Sequence, residues 1–467
     1  MTDQIPVKNI TPKKDSVDLY AKREKIYTRA FTGIFRNIRI IAGLFLFAAF
    51  LGTAWLQWGD RQAVWWNLPE RKFYIFGATF WPQDFMLLSW LLIICAFGLF
   101  FITVYAGRVW CGYACPQSVW TWIFMWCEKV TEGDRNARMK LDKAPMSANK
   151  FLRKTAKHAL WVSIGFITGF TFVGYFTPIR ELPMELITGA ADGWAYFWLG
   201  FFTLLTYLNA GWLREQVCIH MCPYSRFQSV MFDKDTLIVS YDPERGEKRG
   251  ARKKGSDYKA QGLGDCIDCK LCVHVCPTGI DIRDGLQIAC IGCAACIDAC
   301  DDVMLKVGYP KGLISYTTEH NLSGQKTKLI RPRLVGYAAA LLIMSTLFAY
   351  TVFNRTLVEL NVQKDRTPYR ENQEGRIENV YTLKIMNKDQ KDHVFVIEAT
   401  GLNGLTLEGK NHVPAAAGEI LSIPVSISVD PEDIPSSTNS IEFTILSEDD
   451  NSIYRSAESR FLGPTIR

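Results

Sequence analysis

The sequence predicts a multidomain membrane protein: about five transmembrane helices, a small cysteine-rich α+β insert and a C-terminal β-sandwich. Three observations carry that prediction. Apolar residues, 48% of the 467, are bunched into runs of spanning length. Eight of the 14 cysteines fall within residues 266–300. Beyond residue 354 the pattern turns to period two, apolar against polar, as half-buried strands require.

The leader, residues 1–39, is polar and basic, with nine Lys plus Arg. The first apolar run, about 40–57, follows too long a leader and lacks a clear small-residue cleavage site, so it reads as an anchor and not a signal peptide. Four more runs lie at roughly 84–106, 158–178, 193–213 and 334–353. The loops alternate in charge. The leader and segments 107–157 and 214–333 hold 9, 10 and 18 Lys plus Arg, whereas 58–83 and 179–192 hold 3 and 1. The positive-inside rule therefore puts the basic segments in the cytoplasm and the tail on the far face. All 14 Trp precede residue 213, as interfacial anchors would. No Asp, Glu, Lys or Arg interrupts the middle of a run, which argues against a proton pump or ion-coupled transporter. No nucleic-acid motif is present.

The expected layout is then 1–39 cytoplasmic leader, 40–213 four-helix membrane region, 214–333 cytoplasmic insert, 334–353 fifth span and 354–467 periplasmic domain. The tail carries 12 basic and 18 acidic groups and no cysteine, consistent with two redox compartments. Its runs VYTLKIM, HVFVIEA, EILSIPVSISV and SIEFTIL, among about seven short strands, suggest an immunoglobulin-like sandwich without the disulfide. Residues 241–262 are charged and glycine-rich, and read as a flexible linker near anionic lipid heads.

Within the insert, Cys266, Cys269, Cys272 and Cys276 have C-x2-C-x2-C-x3-C spacing followed by Pro277, and Cys290, Cys293, Cys296 and Cys300 repeat it. This is the bacterial two-cluster ferredoxin pattern, in which the fourth Cys of each run ligates the other [4Fe–4S] cluster. Cluster one would take Cys266, Cys269, Cys272 and Cys300, and cluster two Cys290, Cys293, Cys296 and Cys276. Zinc fits a third Cys at two-residue spacing poorly. Asp301 stands where a proline is common after the last Cys.

A second constellation flanks the membrane. Cys111 and Cys115 form C-x3-C-P after the second run, and Cys218 and Cys222 form it after the fourth, with Ser118 and Ser225 at matched offsets. Proline places Cys115 and Cys222 at the start of a following helix, where a helix N-terminus would favour the thiolate. The first such helix carries Trp120, Trp122 and Trp126 and is expected at the interface. If the repeats pack together, four thiols meet near the clusters. His220 and Met221 add an imidazole and a thioether, and soft sulfur ligands select Cu(I). Cys95 and Cys127 read as packing residues, and the other histidines are isolated.

The combination of WCGYACPQ, CIHMCPYSRFQ, the two-cluster insert and the sandwich tail resembles the CcoG, FixG or RdxA proteins, membrane polyferredoxins, over essentially the whole chain. The resemblance implies an inner-membrane cupric reductase supplying Cu(I) for the copper centre of a cbb-type cytochrome oxidase. It implies catalytic and copper-contacting roles for Cys111, Cys115, Cys218 and Cys222. Implied partners are the oxidase or its copper chaperones and transporter, an unknown electron donor, the bilayer and a second copy in a homodimer. Two other readings compete: a quinol dehydrogenase of the NapH or NosR type feeding a periplasmic reductase, and a non-enzymatic assembly scaffold.

Overall fold

The computed structural model describes residues 25–252, 257–389 and 391–464. The first 24 residues of the basic leader and residues 253–256 of the charged segment lie outside the described residues.

The apolar runs fold as helices because only intrahelical bonding satisfies a backbone in lipid. Among the described residues four helices are long and apolar enough to cross a membrane: Ile34–Trp55, Pro82–Ala106, Ala148–Val173 and Pro332–Phe353. We label these α1 (Ile34–Trp55) and α2 (Phe85–Ala106), then, after α3 (Val109–Tyr113), α4 (Pro116–Glu132) and α5 (Arg135–Lys143), α6 (Ala148–Val173). Helix α6 starts ten residues before its apolar run, because the Ser147 hydroxyl caps it at the Lys150 amide (3.2 Å). Past α7 (Leu182–Thr188), the fourth run takes a different form: α8 (Gly193–Thr206) continues into a π-helical stretch, Tyr207–Leu213. Gly165 and Gly169 bring α6 and α8 together. A Cβ at either would lie 2.9 Å from the Thr203 or Leu199 carbonyl oxygen.

Between α1 and α2 the chain forms strands that composition did not announce. β1 (Gln57–Trp58) pairs with β2 (Arg61–Gln62), and β3 (Val64–Asn67), β4 (Lys72–Ile75) and β5 (Ala78–Phe80) make an antiparallel meander. At the other end of α2 lies the cysteine-rich insert, about 33 Å away by the rise of its 22 residues. The insert follows α9 (Pro223–Met231). It is framed by β6 (Ile238–Tyr241) and β7 (Ile314–Thr317), paired antiparallel from Ile238 with Thr317 to Tyr241 with Ile314. Between them run α10 (Pro243–Gly246), α11 (Leu271–His274) and α12 (Ala295–Val307), and α13 (Glu319–Leu322) follows β7. Both ends of the insert are fastened to the end of α2: the Leu237 amide donates to the Tyr105 carbonyl (3.1 Å), and Arg331 donates to Val104 O (2.5 Å) and pairs with Asp233 (2.6 Å). Arg331 precedes the last spanning helix, α14 (Pro332–Phe353).

The described part of 241–262 is not a free linker. Arg245 pairs with Asp265 (2.6 Å) and donates to Lys311 O (2.8 Å), Tyr258 donates to Asp265 (2.8 Å), and the Gly250 amide reaches Cys266 O (3.2 Å). Its charges are spent on the insert, which composition alone does not reveal.

The tail folds as two packed sheets. β8 (Val358–Lys364), β9 (Arg370–Glu371), β10 (Ile377–Asn387), β12 (Thr406–Glu408) and β14 (Ile420–Val429) form one, in the order β12-β14-β10-β8 with β9 beside β10. β11 (His393–Thr400), β13 (His412–Ala415), β15 (Thr438–Ser447) and β16 (Tyr454–Leu462) form the other, in the order β13-β11-β15-β16. Tyr381, Phe395, Phe443 and Phe461 are fully buried between them and occupy the core that a disulfide holds elsewhere. The sandwich rests on the strands that precede α2. Lys388, 3% exposed, lies 3.4 Å from Asp84, and Arg355 donates to Thr79 O at 3.1 Å.

Candidate redox site at the membrane edge

The two cysteine loops share one backbone design. The residues flanking the second Cys of each run are left-handed: Asp268 (φ 52°) and Lys270 (φ 54°) in one, Gly292 (φ 65°) and Ala294 (φ 57°) in the other. Such alternation turns successive amides toward one concavity, a nest suited to an anionic cluster, and three of the four positions hold it without glycine. In the first loop Arg283 holds the shape, donating to Asp268 (2.6 Å) and to Asp281.

The sulfurs of the two runs lie close to one another. Cys276, Cys290, Cys293 and Cys296 line one cavity together with Cys272, walled by Ile280, Ile282 and Ile291. Cys300 stands within the electrostatic reach of Cys272, Cys269 and Cys266. Burial pushes Cys272, Cys290 and Cys300 up to about 12, so iron would have to draw off their protons. These residues fit iron–sulfur ligation. Asp301 turns away: its carboxylate accepts from the Gly312 amide at 2.9 Å.

Above the insert lie the paired turns. Cys115 (φ −62°, ψ 127°) and Cys222 (φ −80°, ψ 110°) are the extended residues that begin α4 and α9. The repeat runs further back than the cysteines. Four residues before each first Cys, Gly107 (φ 57°, ψ −120°) and Arg214 (φ 49°, ψ −114°) make the same sharp turn. Arg214 holds this glycine-favouring conformation while ion-paired to buried Glu128, which also pairs with Arg138 at 2.5 Å. The two turns also clasp each other. Gln117 donates to the carbonyls of Asn209 (2.8 Å) and Arg214 (3.1 Å), and Cys111 donates to Gln228 (3.4 Å).

The turns bring Cys111, Cys115, Cys218 and Cys222 together, so that Cys111 feels the charge of the other three. At Cys115 the expected thiolate activation does not follow. Burial pushes Cys111 up to about 12 and Cys218 up to about 11, and raises Cys115 against the pull of the Ser118 and Gln117 amides. His220 and Met221 are exposed. Among the described residues no three His, Cys, Asp or Glu side chains are set to hold a single metal ion. Cys127 is buried beside Phe124 and Trp161, a packing residue, and Cys95 is exposed on α2. Helix α4 is covered on one side and open on the other: Trp126 is exposed, whereas Phe124, Cys127 and Glu128 are buried.

The thiol group and the insert touch backbone to backbone. A Cβ on Gly112 would fall 2.9 Å from both Gly292 O and Cys293 Cα. Tyr113 and Tyr316 share a hydrogen bond (3.1 Å), and Tyr316 donates to Gly292 O (2.5 Å). Buried Arg108 spans the seam, donating to the carbonyls of Ile288, Cys290 (2.9 Å) and Ser225 (2.5 Å). Sequence reading singled out none of Arg108, Gln117, Gln228 or Tyr316. Arg108 bore a usable signal, since it stands three residues before Cys111.

Comparison with known proteins agrees with this architecture. Residues 213–319 match the family model described as a 4Fe-4S dicluster domain, and residues 348–464 match the IG-like fold at the C-terminal of FixG. The nitrogen fixation protein FixG of Rhizobium meliloti is 38% identical over 428 residues, covering 83% of this chain and 82% of FixG. The chain belongs to the FixG/RdxA family. Protein RdxA of Cereibacter sphaeroides is 39% identical over 422 residues, covering 86% of this chain and 88% of RdxA. The crystal structure of a FixG-related protein from Vibrio parahaemolyticus covers 23% of this chain and 95% of its own, at 30% identity and a TM-score of 0.22. As a FixG/RdxA protein, the chain is an iron–sulfur electron-transfer protein with helices apolar enough for a membrane.

Proposed function

We propose that this FixG/RdxA protein reduces Cu(II) to Cu(I) at the membrane edge, for assembly of the copper centre of a cbb-type cytochrome oxidase. The observation that carries the reading is the seam: the turn that carries Cys111 lies backbone to backbone against the loop of Cys290 and Cys293, and Cys111 stands within electrostatic reach of the other three thiols. The clusters, when bound, supply single electrons. They would be two, on the crossed ligand sets, held by Cys266, Cys269, Cys272 and Cys300 and by Cys290, Cys293, Cys296 and Cys276. Each copper takes up one electron and no bond to carbon changes. Cys111, Cys115, Cys218 and Cys222 would hold the ion, and sulfur ligands favour the monovalent product. Arg108 pulls the Cys111 thiol toward ionisation against its burial. Exposed His220 and Met221 would meet copper on its way in or out.

The layout proposed with this is five spans, residues 193–213 being the fourth and 334–353 the fifth, in a bacterial inner membrane. The insert would face the cytoplasm and the sandwich the periplasm. Their attachment to opposite ends of α2 supports two-sidedness. Partners would be the oxidase or its copper chaperones and transporter.

The test is anaerobic Cu(II) reduction by chemically reduced protein freed of excess reductant, read with a Cu(I)-specific chelator. Wild type should yield Cu(I) as its clusters reoxidise. A variant with Cys111, Cys115, Cys218 and Cys222 replaced by Ser should keep its cluster absorbance and stall. Equal rates in both would remove copper from these thiols. Failure of both, with quinol oxidation instead, would make the protein a quinol dehydrogenase.

A further inference from the structure

Among the eight cysteines of the two loops, Cys269 is the exposed one. It opens into a groove lined by Arg29, Arg36, Lys129 and Lys306, with Phe31 at its side. Lys306 is paired with Asp302 at 2.5 Å, but the side chains of Arg29, Arg36 and Lys129 form no ion pair among the described residues. The Arg29 amide donates to His274 O (2.8 Å), which pins the leader's end over α11 and fixes one wall of the groove. The other loop is covered: Gly112 and Arg108 close over Gly292 and Cys290.

We propose that this groove is the docking surface for an acidic one-electron carrier protein, which delivers its electron at the Cys269 edge. The inference rests on the cluster reading above and adds the entry point to it. Electron transfer weakens steeply with distance, so a soluble donor must approach an exposed ligand, and a cationic rim selects and steers an anionic partner. In the step the reduced carrier loses one electron and is oxidised by one unit, and no proton or covalent bond moves. The competing anion is a lipid headgroup, since α1 starts five residues after Arg29.

The experiment uses the full-length protein in detergent and an acidic [2Fe–2S] ferredoxin as probe. A redox-inactive gallium-substituted form reports binding, and the dithionite-reduced native form reports the rate of electron uptake. Binding should weaken steeply as salt rises from about 50 to about 300 mM. The triple variant Arg29→Glu, Lys129→Glu, Lys306→Glu should lose about tenfold or more in both affinity and rate. Its direct reduction by dithionite should be unchanged, and Lys410→Glu on the sandwich should behave as wild type. Unaltered carrier binding in the triple variant overturns the proposal. So does a variant that loses affinity for anionic phosphatidylglycerol vesicles while the carrier rate stays the same, which assigns the groove to lipid. If dithionite cannot reduce even wild type, the cluster reading fails, and binding of the gallium form still decides the groove.

Discussion

Arg214 shows what a single position can be made to do. Its backbone adopts the turn that Gly107 makes in the first repeat, at a cost of about 1–3 kcal/mol for a residue with a side chain. The guanidinium then neutralises Glu128, 1% exposed, beneath the thiols. Arg214→Gly should relieve the turn but leave a buried charge short of one partner. The net expectation is a loss of about 2 kcal/mol, read as a lower melting temperature in detergent. A variant that melts higher would show that strain and not the ion pair dominates. Arg108→Met removes donors from three carbonyls and a cation from beside Cys290, so the midpoint potential of the proximal cluster should fall in a titration followed by electron paramagnetic resonance. The thiols carry a pH signature. Cys111 and Cys218, held at about 12 and about 11 by burial, are protonated at neutral pH, and metal binding must release those protons. Apparent copper affinity should therefore rise steadily between about pH 6 and 9, and flat affinity would place copper elsewhere. The cysteines were legible because their spacing is itself the ligand geometry. Arg108 was passed over although it stands three residues before Cys111, since one Arg at the end of an apolar run reads first as an interfacial anchor.

At the scale of elements, the apolar runs predicted α1, α2 and α14 closely because lipid leaves a backbone no other option. The close approach of α6 and α8 was written as G-x-x-x-G in Gly165 and Gly169, yet periodicity does not weigh small residues. Gly169→Leu should force the pair apart and cost about 1–3 kcal/mol, visible as earlier loss of folded protein on heating. The strands between α1 and α2 escaped notice because Trp65, Trp66, Phe73 and Tyr74 look equally like membrane anchors. The segment 241–262 misled in the opposite sense: Arg245 and Tyr258 look solvent-bound in sequence, but their partners Asp265 and Lys311 lie far enough along the chain to be invisible locally.

For the whole molecule, α2 is the axis. The strands before it carry the sandwich through Asp84, Lys388 and Arg355, and its other end carries the insert. Asp84→Asn removes the carboxylate that both cations share in the turn just before α2, so the short stretch between α14 and β8 should be cut faster by protease while cluster absorbance is unchanged. The bonds that fasten both ends of the insert to α2, at Thr236, Leu237 and Arg331, have a kinetic meaning. A carrier domain on a tether must find its acceptor by swinging, and its pace slows in a thicker solvent. Among the described residues this insert shows no arm to swing: cysteine loop and membrane-edge thiols are soldered at a fixed spacing, like contacts on one board. Internal turnover, once the protein is charged, should therefore keep its speed when glycerol raises the viscosity several-fold, and a slowdown in proportion to viscosity would mean that the joint opens.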